Sequence, residues 1–150
     1  MANFDNICRM AADNTDLADF VVIYIEEAHP TEGWALPGNR VVSRHRTIED
    51  RLSAAATLAS LSLPDNMTVV ADAITDELNQ AYGAVPERLY IIQNGIVEYE
   101  GGTGPFNFHP KHVEDWLKKY RESVGGEGNV VSGRSVEQDI ATGSSCSPNG

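Results

Sequence analysis

The chain has 150 residues, 41% of them hydrophobic, and 22 acidic against 11 basic side chains give a formal charge of −11. That length suits one ordinary domain, and the charge argues against partners with phosphate backbones or anionic membrane surfaces. No stretch approaches the roughly 18 apolar residues of a membrane span, and no basic and apolar secretory leader is visible. Cys8 and Cys146 stand far apart and outside any ligand spacing. Neither a disulfide framework nor a metal site is expected, and a reducing compartment is the default.

Phe4, Ile7, Cys8, Met10 and Ala11 recur at helical spacing and predict a short opening helix with Cys8 on its apolar face. Asn14-Thr-Asp16 supplies turn chemistry. Phe20 then begins an unbroken apolar run, Phe-Val-Val-Ile-Tyr-Ile, that fits a strand covered on both faces. Glu-Glu-Ala-His-Pro follows at its carboxyl end, the place where open α/β sheets bind ligands. Tyr24, Glu27 and His29 therefore stand where chemistry is expected. The competing reading makes Glu27 a solvated strand end and Tyr24 a core aromatic.

Residues 30–39 hold two Pro, two Gly and Trp34, a long loop with the Trp packed beneath it. Thr47-Ile-Glu-Asp50 is a capping box, opening a helix to about Ser60 with Ile48, Leu52, Ala55, Ala56 and Ala59 inward. Met67–Ala71 reads as a buried strand closed by Asp72, and Asp76–Tyr82 as a short helix stopped at Gly83. Two apolar runs, 88–93 and 96–100, flank Asn94-Gly95, the strongest short-range hairpin signal. Gly101-Gly-Thr-Gly-Pro105 is a loop. Pro110 leads a helix over 111–121, amphipathic through Val113, Trp116, Leu117 and Tyr120, with His109 and His112 on the surface at its start. From Gly125 onward, Gly, Ser, Asn and Thr dominate. The division expected is a domain over 1–122 and a disordered tail over 123–150, with Cys146 an idle thiol in it.

Helix, strand, helix, strand, helix, hairpin, helix reads as α/β with a mixed sheet. The hairpin and closing helix match the back half of a thioredoxin-like fold, which places a proline, often cis, where Val85-Pro86 stands. That fold also needs a strand and a reactive turn before the first helix. This sequence begins at the helix.

Tyr24-Ile-Glu-Glu-Ala-His-Pro-Thr-Glu-Gly-Trp34, His45-Arg-Thr-Ile-Glu-Asp-Arg51, Ala81-Tyr-Gly-Ala84, Glu87-Arg-Leu-Tyr90 and Gly101-Gly-Thr-Gly-Pro105 together resemble the iodothyronine deiodinases. These selenoenzymes remove iodine reductively from thyroid hormones such as thyroxine. The resemblance implies a thioredoxin-like selenoprotein family, membrane-anchored and homodimeric. It also implies an external thiol reductant as cosubstrate and no bound cofactor. The selenocysteine and the anchor are expected upstream of Met1, missing here because a selenocysteine codon was read as a stop and translation restarted. The chain alone is then expected to be soluble, intracellular and inactive.

By the same resemblance Tyr24, Glu27 and His45 form the proton relay, with Glu27 fixing the tautomer of His45. His29 holds one end of the hormone. Some family members carry a basic residue in the Gly-Gly-X-Gly-Pro loop for the other end, where this sequence has Thr103. Arg88 is a candidate replacement, against the plainer reading of an ion pair with Glu87 or a helix acid. A catalytically inactive, hormone-binding or dimerising short product is the alternative function. A peroxiredoxin-like thiol peroxidase fits poorly, because its reactive Cys belongs on the turn before the helix and Cys8 lies within it.

Overall fold

The computed structural model describes residues 2–33 and 42–126; residues 34–41 of the loop after β1, Trp34 among them, and the tail with Cys146 lie outside the described residues. The order is α1 (Ala2–Ala12), β1 (Phe20–Tyr24), α2 (Ile48–Ala59), β2 (Met67–Ala71), α3 (Glu77–Tyr82), β3 (Tyr90–Gln93), β4 (Ile96–Glu100) and α4 (Pro110–Gly126). This is the mixed α/β order expected, consistent with a thioredoxin-like layout, although α4 runs on past Arg121.

β1 and β2 pair in parallel, Phe20 opposite Met67 through Tyr24 opposite Ala71. β3 and β4 form the antiparallel hairpin, turning at Asn94 (φ 52°) and Gly95 (φ 78°), both in the left-handed region that a tight two-residue turn requires. A bulge follows: Ile91 faces Tyr99 but Ile92 faces Val97, which leaves Glu98 as the extra residue. The described strands form two separate two-stranded sheets rather than one mixed sheet. One core nevertheless serves both. Met10 of α1 meets Val113 and Leu117 of α4, and Phe20 of β1 packs there beside Ile91 and Tyr99 of the hairpin.

Two burial expectations are corrected. β1 is covered on one face only: Val21 and Ile23 are exposed, and so are Thr68 and Val70 opposite them. An all-apolar run carries no alternation, so it cannot announce which face is open. In α2 the buried residues are Arg51 and Ala55, while Leu52 is 51% exposed and Ala56 and Ala59 face solvent. The helix turns Ile48, Arg51, Ala55 and Leu58 inward, a stripe at the same spacing with a charge in it.

That charge is the centre of a buried knot. Arg51 Nη1 donates to the carbonyls of Asp72 (3.4 Å) and Ala73, and Nη2 lies 2.8 Å from Asp76 Oδ1. The latter contact lies off the hydrogen-bonding line, so charge carries it. Asp72, 1% exposed, accepts from the amides of Ala73 (2.8 Å), Leu78 (3.0 Å) and Asn79 (2.9 Å). It thereby caps α3, whose own N-cap residue Asp76 sits at φ 58° and makes no side-chain cap bond. The Thr47 capping box forms as expected: Thr47 Oγ1 accepts from Asp50 N at 3.3 Å. Asp50 in return accepts from the Arg46 and Thr47 amides, which hold its carboxyl below the usual range.

The two faces of α2 give a direct test. Ala55→Leu should cost about 1–3 kcal/mol by overpacking, whereas Ala56→Leu should change stability by less than about 0.5 kcal/mol. Urea unfolding of both variants measures the difference; equal costs would contradict the inward stripe.

Candidate functional site

At the carboxyl ends of β1 and β2 lies a hollow of about 470 Å³. The segment after β1 lines it with Glu26, Glu27, Ala28, Pro30 and Gly33, and the approach to α2 adds Arg44 and His45. Arg51, Ile74, Asp76 and Val85 close the far side. Tyr24 stands behind this lining. Its hydroxyl donates to Glu27 Oε2 at 2.9 Å, and its ring centroid lies 5.7 Å from that of His45 at an interplanar angle of 50°. The spacing of three residues lets the chain fold back after β1, so the carboxylate returns over the phenol that precedes it.

The structure thus brings Tyr24, Glu27 and His45 together. It departs from expectation in one respect. Neither ring nitrogen of His45 has a hydrogen-bond partner among the described residues, although both are shielded from water. Glu27 is engaged by Tyr24 instead of orienting the imidazole through a direct bond. Shielded nitrogens without a protein partner are rare, and they leave the imidazole able to meet a ligand group or to exchange a proton there.

The sequence reading missed the frame. Asn79, 8% exposed, spans from Glu26 (Nδ2 to Oε1, 3.5 Å) to the amide of Val85 (3.1 Å from Oδ1), tying the segment after β1 to the cis Val85–Pro86 bond. Together with Arg51 and Asp72 it fixes three sides of the hollow. The sequence does hold one signal for Arg51 that the inward stripe of apolar residues passed over: a charge three residues after Ile48 and four before Ala55.

The family model described as iodothyronine deiodinase matches residues 1–121. The chain belongs to the iodothyronine deiodinase family. It is 40% identical over 132 residues to a thyroxine 5-deiodinase of Aquarana catesbeiana, an alignment covering 87% of this chain and 48% of that protein. It is 43% identical over 117 residues to a type II iodothyronine deiodinase of Petromyzon marinus, covering 77% and 41%. With its rat counterpart the identity is 41% over 116 residues, covering 74% and 44%. The chain therefore spans less than half the length of these curated relatives.

The remaining residues that the deiodinase resemblance singled out are spread more widely. His29 is half-buried beside Pro30, at the edge of the hollow but outside its lining. Thr103 is exposed in the loop after β4 and does not line the hollow. Arg88 does not reach it either. Its Nε donates to the Gly101 carbonyl (2.7 Å), its Nη1 to that of Tyr82 (3.1 Å), and its Nη2 pairs with Glu100, so it braces the hairpin against α3. The plainer reading of an ion pair holds in kind, but the acid is Glu100 of β4 and not Glu87 or a helix acid. No described helix of this deiodinase-family chain is long and apolar enough to cross a membrane. No cluster of three His, Cys, Asp or Glu among the described residues is placed to hold a metal ion. Burial lifts the Cys8 thiol above its ordinary value, with Asp5 adding to it, and the Sγ lies 4.0 Å from Met67 Sδ, as befits a packing residue.

Glu87 borders the cis-proline segment and packs so closely on Gly104 that a Cβ there would meet its Cγ at 2.4 Å. Burial raises its carboxyl above the ordinary 4.5. A raised carboxyl favours the folded state while protonated, and that benefit fades as pH rises through 4.5 toward the folded value. Glu87→Gln should therefore be relatively more stable than the parent at pH 7 than at pH 4. Urea midpoints at the two pH values check this; a gap independent of pH would contradict it.

Proposed function

We propose that this chain carries the proton-delivering and substrate-holding part of an iodothyronine deiodinase. In this reading the selenocysteine, and the strand leading to it, belong to a longer form of the protein. The observation that carries it is the Tyr24–Glu27 hydrogen bond beside His45 in one hollow at the strand ends. Two strand pairs that share a core but no ladder also fit a sheet whose joining strand is supplied elsewhere in the polypeptide.

Reductive deiodination replaces an aryl carbon–iodine bond with carbon–hydrogen. It needs two electrons, a proton for the ring carbon and a soft acceptor for the iodine. A selenolate supplies the polarisable nucleophile because it is ionised at neutral pH, and an external thiol returns it to the reduced state. This chain supplies the proton. His45 in its protonated form donates to the ring carbon from inside the hollow. The Glu27 carboxylate, held in place by the Tyr24 hydroxyl, offsets the imidazolium charge across that space. Tyr24 extends the relay away from the substrate, towards the β1 end. His29 holds the ligand at the edge. Homodimerisation and membrane anchoring are proposed for the longer form alone.

Iodide release from labelled thyroxine with dithiothreitol tests both parts. The 150-residue chain should release none above the blank, and substantial turnover by it would refute the assignment. In the longer, selenocysteine-bearing protein, His45→Asn should lower kcat by about 10²–10⁴ with a smaller change in KM. Glu27→Gln should act in the same direction.

A further inference from the structure

Two arginines line the hollow, and they are in different states. Arg51 is 2% exposed and engaged by Asp76 and by the carbonyls after β2. Arg44 is exposed at the mouth, one residue before His45. Its backbone amide donates to Glu32 Oε2 at 2.9 Å. Among the described residues its guanidinium meets no carboxylate. Of the three acids lining the hollow only Asp76 faces a guanidinium, while Glu27 and Glu26 keep their charge and accept from the neutral Tyr24 hydroxyl and Asn79 amide. Arg44 is the guanidinium of the lining that no carboxylate among the described residues engages. Thr103 carries no charge, and Arg88 is turned to the hairpin.

We propose that Arg44 is a specificity-determining residue, which takes the carboxylate of a ligand whose iodinated ring lies inward against His45. This rests on the deiodinase reading above and names the group that the hollow selects. A planar guanidinium matches a carboxylate with two parallel hydrogen bonds, a geometry that an ammonium cannot reproduce. The positions also agree with such a ligand. The inner residue of the adjacent pair, His45, is half-buried with shielded nitrogens, and the outer one is in solvent. An amino-acid-bearing aryl iodide has the same division, an apolar ring and a charged end.

Equilibrium dialysis with three probes separates the outcomes: thyroxine, its deaminated acid and its decarboxylated amine. Arg44→Met should weaken the two carboxylate-bearing probes by roughly 10- to 100-fold and leave the amine unchanged. Arg44→Lys should recover part of the loss, and it decides the matter if Arg44→Met lowers the thermal melt. Unchanged thyroxine binding by Arg44→Met, or an equal loss for all three probes, overturns this assignment and leaves the deiodinase reading standing. Failure of the parent chain to bind any probe overturns both.

Discussion

A guanidinium enclosed by protein on nearly every side holds the strand ends in place. Arg51 projects from the inner stripe of α2 and binds the chain just as it leaves β2, while Asp72 gathers three amides at the start of α3. The carboxylate paired with Arg51 is that of Asp76, whose side chain is 26% exposed, whereas Asp72 meets Arg51 only through its backbone carbonyl. Removing one partner of a buried pair costs about 3–5 kcal/mol because the other is left uncompensated. That is a large part of the ~5–15 kcal/mol that stabilises a domain. The pair therefore constrains where the ends of β1 and β2, the first turn of α2 and the left-handed residue Asp76 stand relative to one another.

The hollow follows from that constraint. Its walls come from four separate stretches of sequence. Polar contacts with direction do the joining: Arg51 to the β2 exit, Asn79 from Glu26 to Val85, and Tyr24 to Glu27. The apolar core lies elsewhere, between α1 and α4, with Phe20 and Ile91 joining the two strand pairs through it. The polar region can hold a histidine with two unpartnered nitrogens because its neighbours are fixed from outside.

Local chemistry made much of this legible in the sequence. Asn94-Gly95 permits little besides a tight hairpin, Thr47 with Asp50 caps a helix, and Gly83 ends one at φ 55°. Tyr24 and Glu27 were legible from their place at a strand end, and the family resemblance added His45, which approaches from a different segment. Three features escaped. The strands form two pairs, which depends on partners that no local pattern reports. The open face of β1 was hidden by a run without alternation. Arg51 was hidden because a helical stripe is normally read from its apolar members, and the buried position went to a cation whose partner lies 25 residues further on. Arg88 was a plausible ligand from its neighbourhood in sequence, but Glu100 and the carbonyls of Tyr82 and Gly101 reach it first.

The central claim is that ligand enters between the ends of β1 and β2 and not elsewhere. Hydrogen–deuterium exchange on the chain with and without saturating thyroxine tests it most directly, because a second groove, lined by Tyr82, Arg88 and Tyr90, offers a rival location. The account predicts that amides in residues 25–33, 42–47 and 73–78 slow together while those of β3 and β4 do not change. Slowing confined to the hairpin and the end of α3 would contradict it.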